Sequence, residues 1–588
     1  MKLNEFNKKL KKEYKSNQNI ENNIVHNQMR KFYPLLIVTS ILFVVISAFI
    51  INKIYVDNYN NGLIFALQNN IGSSEEMIKI TNKDELNKKI NKQVKTSWIE
   101  SITSIFQKPI MINSGVNGTT GDTTPTEVTN YDTNVREKDI DESDIAKCDG
   151  TYIYYIYPMV EQKEYKLVIY DLDSILIASK IIKYNSNLAG KHVTSLLPSN
   201  YKLYIYGNSI IVESSLSLHI FNLVNNQLIL KYESYMYVNM SRLIDNYYYC
   251  LVFSGYKEDI NDFDNLYYDG YSDPIKSYKI LKYNLDTNEI IYLDILSSNI
   301  GTRYINKDYI ILTTLVINPK NNFSVRQISY DGGPTTGDFT IISIFDTDLN
   351  PICVFKVIGR LINDYSVDIQ GDLLRLVTTR VTNEKNKYNN LLIYSIKEKR
   401  RISIIEEGLG IGYERVTSVR FENEKCFVVT YMTTDPLYEI DLSNPYNPRI
   451  IDQYKAPGFS QYLHTITINS KNYVLGLGVV NNKNKISLYK DEDTNIQIGE
   501  DYIIEETNEI GIFNNRNSYR IIESNIDNSI YLGLPISKNL YVFYKIDVEK
   551  GEISIYKKYE INYYTRSFII DSKIYIPNDS KLIVDNFY

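Results

Sequence analysis

A chain of 588 residues exceeds one ordinary domain, although a large closed β architecture can absorb most of it as a single unit. Hydrophobic residues at 44% and charged residues at 23% are those of a globular protein, and a net charge of −6 gives no electrostatic reason to expect nucleic acid. The 53 tyrosines beside one tryptophan, Trp98, would suit sugar or peptide binding. Ile, Asn and Lys are abundant too, so AT-rich coding and the strand preference of Tyr are the plainer explanation.

Residues 1–31 form a polar tail rich in lysine, expected to be cytoplasmic. The next segment, 32–53, reads as a transmembrane signal anchor, because no charge interrupts it from Phe32 to Ile51. At about 1.5 Å per residue, roughly 20 residues cover the ~30 Å of bilayer hydrocarbon. The run outlasts a cleavable signal and no small-x-small site follows it. Its basic flank lies N-terminal, which keeps the tail inside and exports the remainder to the cell surface. Residues 54–106 read as a short helical stalk or accessory element. Helix starts are expected at Ser73-Ser74-Glu75-Glu76 and at Thr81-Asn82-Lys83-Asp84-Glu85, where a cap precedes first-turn carboxylates. Residues 107–131, rich in Gly, Ser, Thr and Asn, read as a flexible linker.

From 132 to 588 one pattern recurs: a polar turn followed by a strand of aromatic and β-branched residues. Nine copies begin at Asp149, Asn208, Asp245, Lys307, Gly371, Glu424, Lys471, Asn528 and Asp571. They lie about 50 residues apart, near the length of a four-stranded propeller blade. The expected fold is therefore all-β, a single large β-propeller. Nine copies suggest eight blades, the first and last copies sharing one to close the ring; seven is the main alternative. Along Val416–Phe421 strict alternation places Val416, Ser418 and Arg420 on one face and Thr417, Val419 and Phe421 on the other.

Three stretches carry a family likeness: E-R-x-x-S-V-R-F from Glu414 to Phe421, D-P-L-x-x-I-D-L-S-N-P from Asp435 to Pro445, and P-G-F-S-x-Y-L-H from Pro457 to His464. Thr133–Ile156 and Thr565–Pro577 extend it. The chain thus resembles bacterial and archaeal secreted proteins with a C-terminal β-propeller distantly related to WD repeats. The resemblance implies the fold and no particular reaction. Cys148 stands where that family usually has Thr, which argues against a required disulfide there.

Motifs for chemistry are sparse. The sequence contains no H-E-x-x-H, no G-x-S-x-G and no phosphate-binding glycine loop. Asp139, Asp141, Glu142 and Asp144 place four carboxylates within six residues, a cluster suited to Ca²⁺, the one cofactor with any sequence signal. A solvated acidic turn is the plainer reading, there and at the second acidic loop, Asp262 to Asp273. Arg420, Asp435, Tyr462 and His464 form the candidate ligand site. Arg420 in an otherwise apolar strand pair needs a carboxylate, and Asp435 is the expected partner. The preferred alternative is that this pair only locks a blade corner. The function expected is a membrane-anchored extracytoplasmic module that binds a cell-surface protein or polysaccharide. The alternative is a cell-surface hydrolase or lyase acting on polysaccharide or peptidoglycan at the propeller channel, with acidic residues as acid and base.

Overall fold

The structure is a computed structural model that describes residues 8, 11–12, 74–87, 132, 140–159, 164–183, 201–214, 216–272, 275–316, 338–381, 387–412, 414–431, 435–456, 459–491, 496–507 and 516–588. The chain divides into two compact units, 1–69 with 101–107 and 70–100 with 108–588. Nearly all of the first, including the expected anchor at 32–53, lies outside the described residues. Among those residues no helix is long and apolar enough to cross a membrane.

The second unit is a ring of nine sheets, spanning 146–182, 202–234, 237–297, 300–358, 367–405, 415–456, 459–503, 520–560 and 568–586; they are called blades 1 to 9 in that order, and their pairing is antiparallel except where Leu266–Tyr268 adds in parallel to blade 3. Each apolar run can bury both faces because its sheet is sandwiched between two others. Tyr154 and Ile156 of blade 1 pack on Leu203 and Ile210 of blade 2. The pattern repeats around the ring, through Leu475 and Leu477 of blade 7 against Leu532 and Leu534 of blade 8. The last interface joins Phe568 and Tyr575 of blade 9 to Tyr155 and Val168 of blade 1.

Nine blades correct the expectation of eight or seven. The nine turn–strand copies are the second strands of nine separate sheets. Blade 1 has its own inner strand, Ala146–Cys148, and blade 9 is a three-stranded sheet of its own, so no strand is shared. Side-chain packing closes the ring. All four cysteines are free thiols, with Cys250, Cys353 and Cys426 buried.

The first strand of each blade lies innermost, and the last strand faces outward, as an exposed edge in Gln227–Ser234 of blade 2 and covered by a further strand in blades 3 and 4. Up-and-down order puts connections 1–2 and 3–4 at one end of the ring, and connections 2–3 and blade-to-blade at the other. The first end is built from tight turns, many with Asn or Asp at positive φ: Asp245 (50°), Asn423 (48°), Asn528 (50°) and Asp571 (48°). These residues tolerate the left-handed region because their short side chains bond locally. Every connection of eight or more residues falls at the other end: 183–201, 257–275, 317–338, 359–366, 406–414 and 504–519.

Gly551 and Gly499 hold turns of blades 8 and 7 back to back. Gly551 has φ +69°, and a Cβ there would stand 2.3 Å from the Ile498 carbonyl oxygen. Gly551→Ala should cost about 2–4 kcal/mol, from left-handed strain plus overpacking against main chain. Urea midpoints of the two proteins measure it.

Residues 74–87 do not form the helical stalk expected. Ser74–Glu75 is a strand that pairs with Val354 and Phe355 on the outer edge of blade 4, and Ile78–Lys79 pairs with Tyr267 and Tyr268 of blade 3. Apolar Ile78 and Ile80 go to sheet and core, which overrides the local helix signal of Ser73–Glu76. The second signal does start a helical turn. The Asn82 side chain accepts from the Glu85 amide at 2.8 Å, and Glu85 accepts from the Thr81 amide at 3.0 Å. Ile80 and Leu86 are buried against Leu266, Tyr268 and Leu296.

Candidate functional site

The ring axis is where inner strands converge, and two groups of side chains occupy it. The acidic run comes first. Asp141 forms a backbone bridge with Leu243 on the inner strand of blade 3, and Asp144 one with Leu203 on that of blade 2. The Ser143 carbonyl accepts from Asn517 Nδ2 at 3.0 Å, ahead of blade 8. The segment before blade 1 therefore braces several blades across the axis.

Its carboxylates part company instead of converging on a cation site. Asp141 pairs with Lys147, Glu142 lies 3.3 Å from Arg242, and Asp144 pairs with Arg566, whose side chain is fully buried. Among the described residues no three acidic, His or Cys side chains group as metal ligands. The physical reason is that an extended segment sends successive side chains to different blades, each offering its own cation. Asp139 lies outside the described residues. Burial pushes the Lys147 amine down from its ordinary value, and Asp141 and Asp144 oppose that shift. In the second acidic loop, Asp269 is buried and accepts from the Ser272 hydroxyl at 2.7 Å and from two main-chain amides. Asp273 there lies outside the described residues.

The second group contains three of the four residues of the candidate ligand site. Arg420 Nη2 lies 3.2 Å from Glu422 Oε2, and that oxygen accepts from the Thr465 hydroxyl at 2.8 Å. His464 Nδ1 and the Tyr462 hydroxyl are 3.1 Å apart. The Tyr462 ring meets Tyr519 edge-on at 5.4 Å and Tyr365, at the entry to blade 5 two blades away, at 6.2 Å. Burial and the Arg420 guanidinium hold the His464 imidazole down to about 3, so it is neutral at physiological pH.

Asp435 is not part of this group. Arg420 is level with Phe427, and Phe427 with Glu439; Asp435 begins that third strand, four residues further along. With about 3.3 Å per residue and 4.8 Å between strands, the two backbones stand roughly 16 Å apart. Glu422, two residues along the same strand, takes the role expected of Asp435.

A feature the sequence reading missed sits just above these residues, toward the end with the long connections. The inner strands of blades 3, 4, 6 and 7 begin at Tyr237, Ile300, Arg415 and Phe459, and each is bulged close to its third residue: Asn239, Thr302, Thr417 and Gln461. A bulge re-aims side chains and breaks strict alternation. It corrects the face assignment in blade 6: Val416 packs with Val419 and Phe421, opposite to the phase expected from simple alternation. The signal in sequence was a polar residue two places into each inner strand, too faint without the register. The four bulges lie at the end of the ring that carries the long connections.

Asp141, Glu142, Asp144 and Glu422 each lie against a cation, whereas desolvation raises the Glu523 carboxyl on the inner strand of blade 8 above its ordinary value.

A family model described as "Beta propeller domain" matches residues 131–253 and 248–508. An uncharacterised protein of Archaeoglobus fulgidus is 32% identical over 246 residues, 42% of this chain and 36% of that protein. An uncharacterised protein of Methanocaldococcus jannaschii is 34% identical over 163 residues, 27% of this chain and 25% of its own length. The chain thus spans about a third or less of these curated relatives. Among solved structures, the β-propeller domain of the Trilobed protease from Pyrococcus furiosus aligns with 12% identity and a TM-score of 0.30, over 60% of this chain and 95% of that one.

Proposed function

We propose that this chain, which belongs to the Beta propeller domain family, is a membrane-anchored extracytoplasmic module that binds a cell-surface protein or polysaccharide. The observation that supports this reading best is the inequality of the two ends of the ring. One end is closed by turns of seven residues or fewer, and the other collects every longer connection around the bulged strand starts. Loops gathered on a rigid frame are the usual place for recognition. The uncharged run from Phe32 to Ile51, with its basic flank, supports the anchoring and the outward orientation.

Two measurements test this. On intact cells, added protease should reach residues 132–588; full protection would contradict the outward orientation. Full-length protein should capture cell-wall polysaccharide or surface protein, and Ile411→Asp, at an exposed position of the 406–414 connection, should weaken capture at least tenfold. Thr287→Lys, on the turn-built end, should leave it unchanged. Equal effects of the two changes would defeat the assignment of the binding face.

A further inference from the structure

Arg242, Arg420 and Arg566 at the axis each meet a carboxylate. Arg303, on the inner strand of blade 4, forms no ion pair among the described residues. Its terminal nitrogens turn to main-chain carbonyls, Nη2 to Ile300 at 2.9 Å and Nη1 to Asn239 at 3.5 Å. Its Nε is buried and donates to nothing. The same holds for Nδ2 of Asn239, the bulged residue of blade 3 that Arg303 reaches across to. Two neighbouring blades thus bring two buried donors together with no acceptor for either. Arg420 and Arg566 also bury an Nε without a partner, but each meets a carboxylate through a terminal nitrogen, which Arg303 does not; an unmet buried donor costs free energy until an acceptor arrives. Burial pushes the Arg303 guanidinium down from its ordinary value, with Asp364 and Tyr278 opposing.

What stands beside the donors narrows the ligand. Phe253 is level with Tyr237, two residues before Asn239. Its ring packs edge-on against Tyr278 at 5.9 Å and Tyr256 at 5.5 Å, and Tyr256 is 42% exposed. Tyr278 lies close enough to Arg303 to oppose the shift of its guanidinium, so the exposed Tyr256 ring belongs to the aromatic cluster that borders Arg303, an arrangement that suits a pyranose ring carrying an acidic group.

We propose that Arg303 and Asn239 form the carboxylate-binding subsite for an acidic sugar of the uronate class, at the channel mouth between blades 3 and 4. One carboxylate oxygen takes the Arg303 Nε–H and the other the Asn239 Nδ2–H, while the sugar ring lies toward Tyr256. This rests on the binding-module reading and names the saccharide class for it.

The test uses full-length protein and galacturonate, with galactose, glutamate and inorganic phosphate as comparators, followed by thermal shift and calorimetric titration. Galacturonate should raise Tm and the comparators should not. Asn239→Asp supplies the missing carboxylate from within the chain. It should raise Tm without ligand and weaken the galacturonate response at least tenfold. The proposal is overturned by no response to galacturonate, by an equal response to galactose, glutamate or phosphate, or by a lower Tm in Asn239→Asp. Continued capture of cell-wall polymer by a protein that ignores galacturonate would remove this subsite and leave the binding-module reading standing.

Discussion

Arg566→Met will cost about 3–5 kcal/mol of unfolding free energy, the largest loss expected from any single substitution here. The ring is closed by no shared strand, so blade 9 depends on what holds it to blade 1 and to the segment before it. Arg566 lies directly ahead of blade 9 and pairs with Asp144; the two side chains are 0% and 1% exposed. Its second terminal nitrogen donates to the Asp132 carbonyl at 2.7 Å. Arg520 donates to that same carbonyl at 3.0 Å and to the Ser567 carbonyl at 2.9 Å. Removing Arg566 leaves the Asp144 carboxylate buried against an apolar side chain, and desolvation of an unmatched charge dominates the cost. The double variant Asp144→Leu/Arg566→Met should be more stable than Arg566→Met alone, since both charges leave together. Denaturant unfolding followed by circular dichroism reads all three proteins. A loss below about 1 kcal/mol, or a double variant no better than the single, would show that packing alone closes the ring.

The protein should lose stability as the pH falls below about 6.5, through His464. In the unfolded chain this imidazole titrates near its ordinary 6.5, whereas in the fold it stays neutral down to about 3. Between those values the unfolded chain takes up a proton that the folded one refuses. Stability is therefore complete above pH 6.5 and declines toward pH 3, by up to about 1.4 kcal/mol per pH unit. At pH 4.5 the expected loss from this one group is roughly 2–3 kcal/mol. Arg420 supplies the repulsion that joins burial in keeping the proton off. His464→Gln should lower stability at pH 7, because the Tyr462 hydroxyl loses its ring partner, yet it should flatten the decline between pH 6.5 and 4.5 by a similar 2–3 kcal/mol. Parallel pH profiles for the two proteins would rule out His464 as the source.

Much of the fold was legible because it is local. A turn residue followed by a strand of β-branched and aromatic residues is fixed by neighbours along the chain, and nine such strings mark nine second strands. The blade count was misread at its last step, since nothing in a string of residues tells whether the ends of a ring share a sheet. At the candidate site, Arg420, Tyr462 and His464 do come together, because their strands occupy equivalent inner positions in adjacent blades. Asp435, at the end of a neighbouring strand, is the partner the residue types suggest, and the register sets it too far along, with Glu422 beside Arg420 instead. The acidic run of Asp141, Glu142 and Asp144 shows the same limit. Its charge was visible, but the cations that claim each carboxylate come from positions up to 422 residues away.

By itself the amino-acid order determined the all-β class, the repeating unit, the tight-turn chemistry of Asp245, Asn423 and Asn528, and the uncharged run from Phe32 to Ile51. Those are properties of a few consecutive residues and their intrinsic preferences. Only the tertiary structure decided the ninth blade, the segment before blade 1 braced across the axis, the bulges at Asn239 and Thr417, and the pairing of Arg303 with main chain instead of a carboxylate. Each of these depends on which distant blades become neighbours, and that is set by burying both faces of every sheet at once.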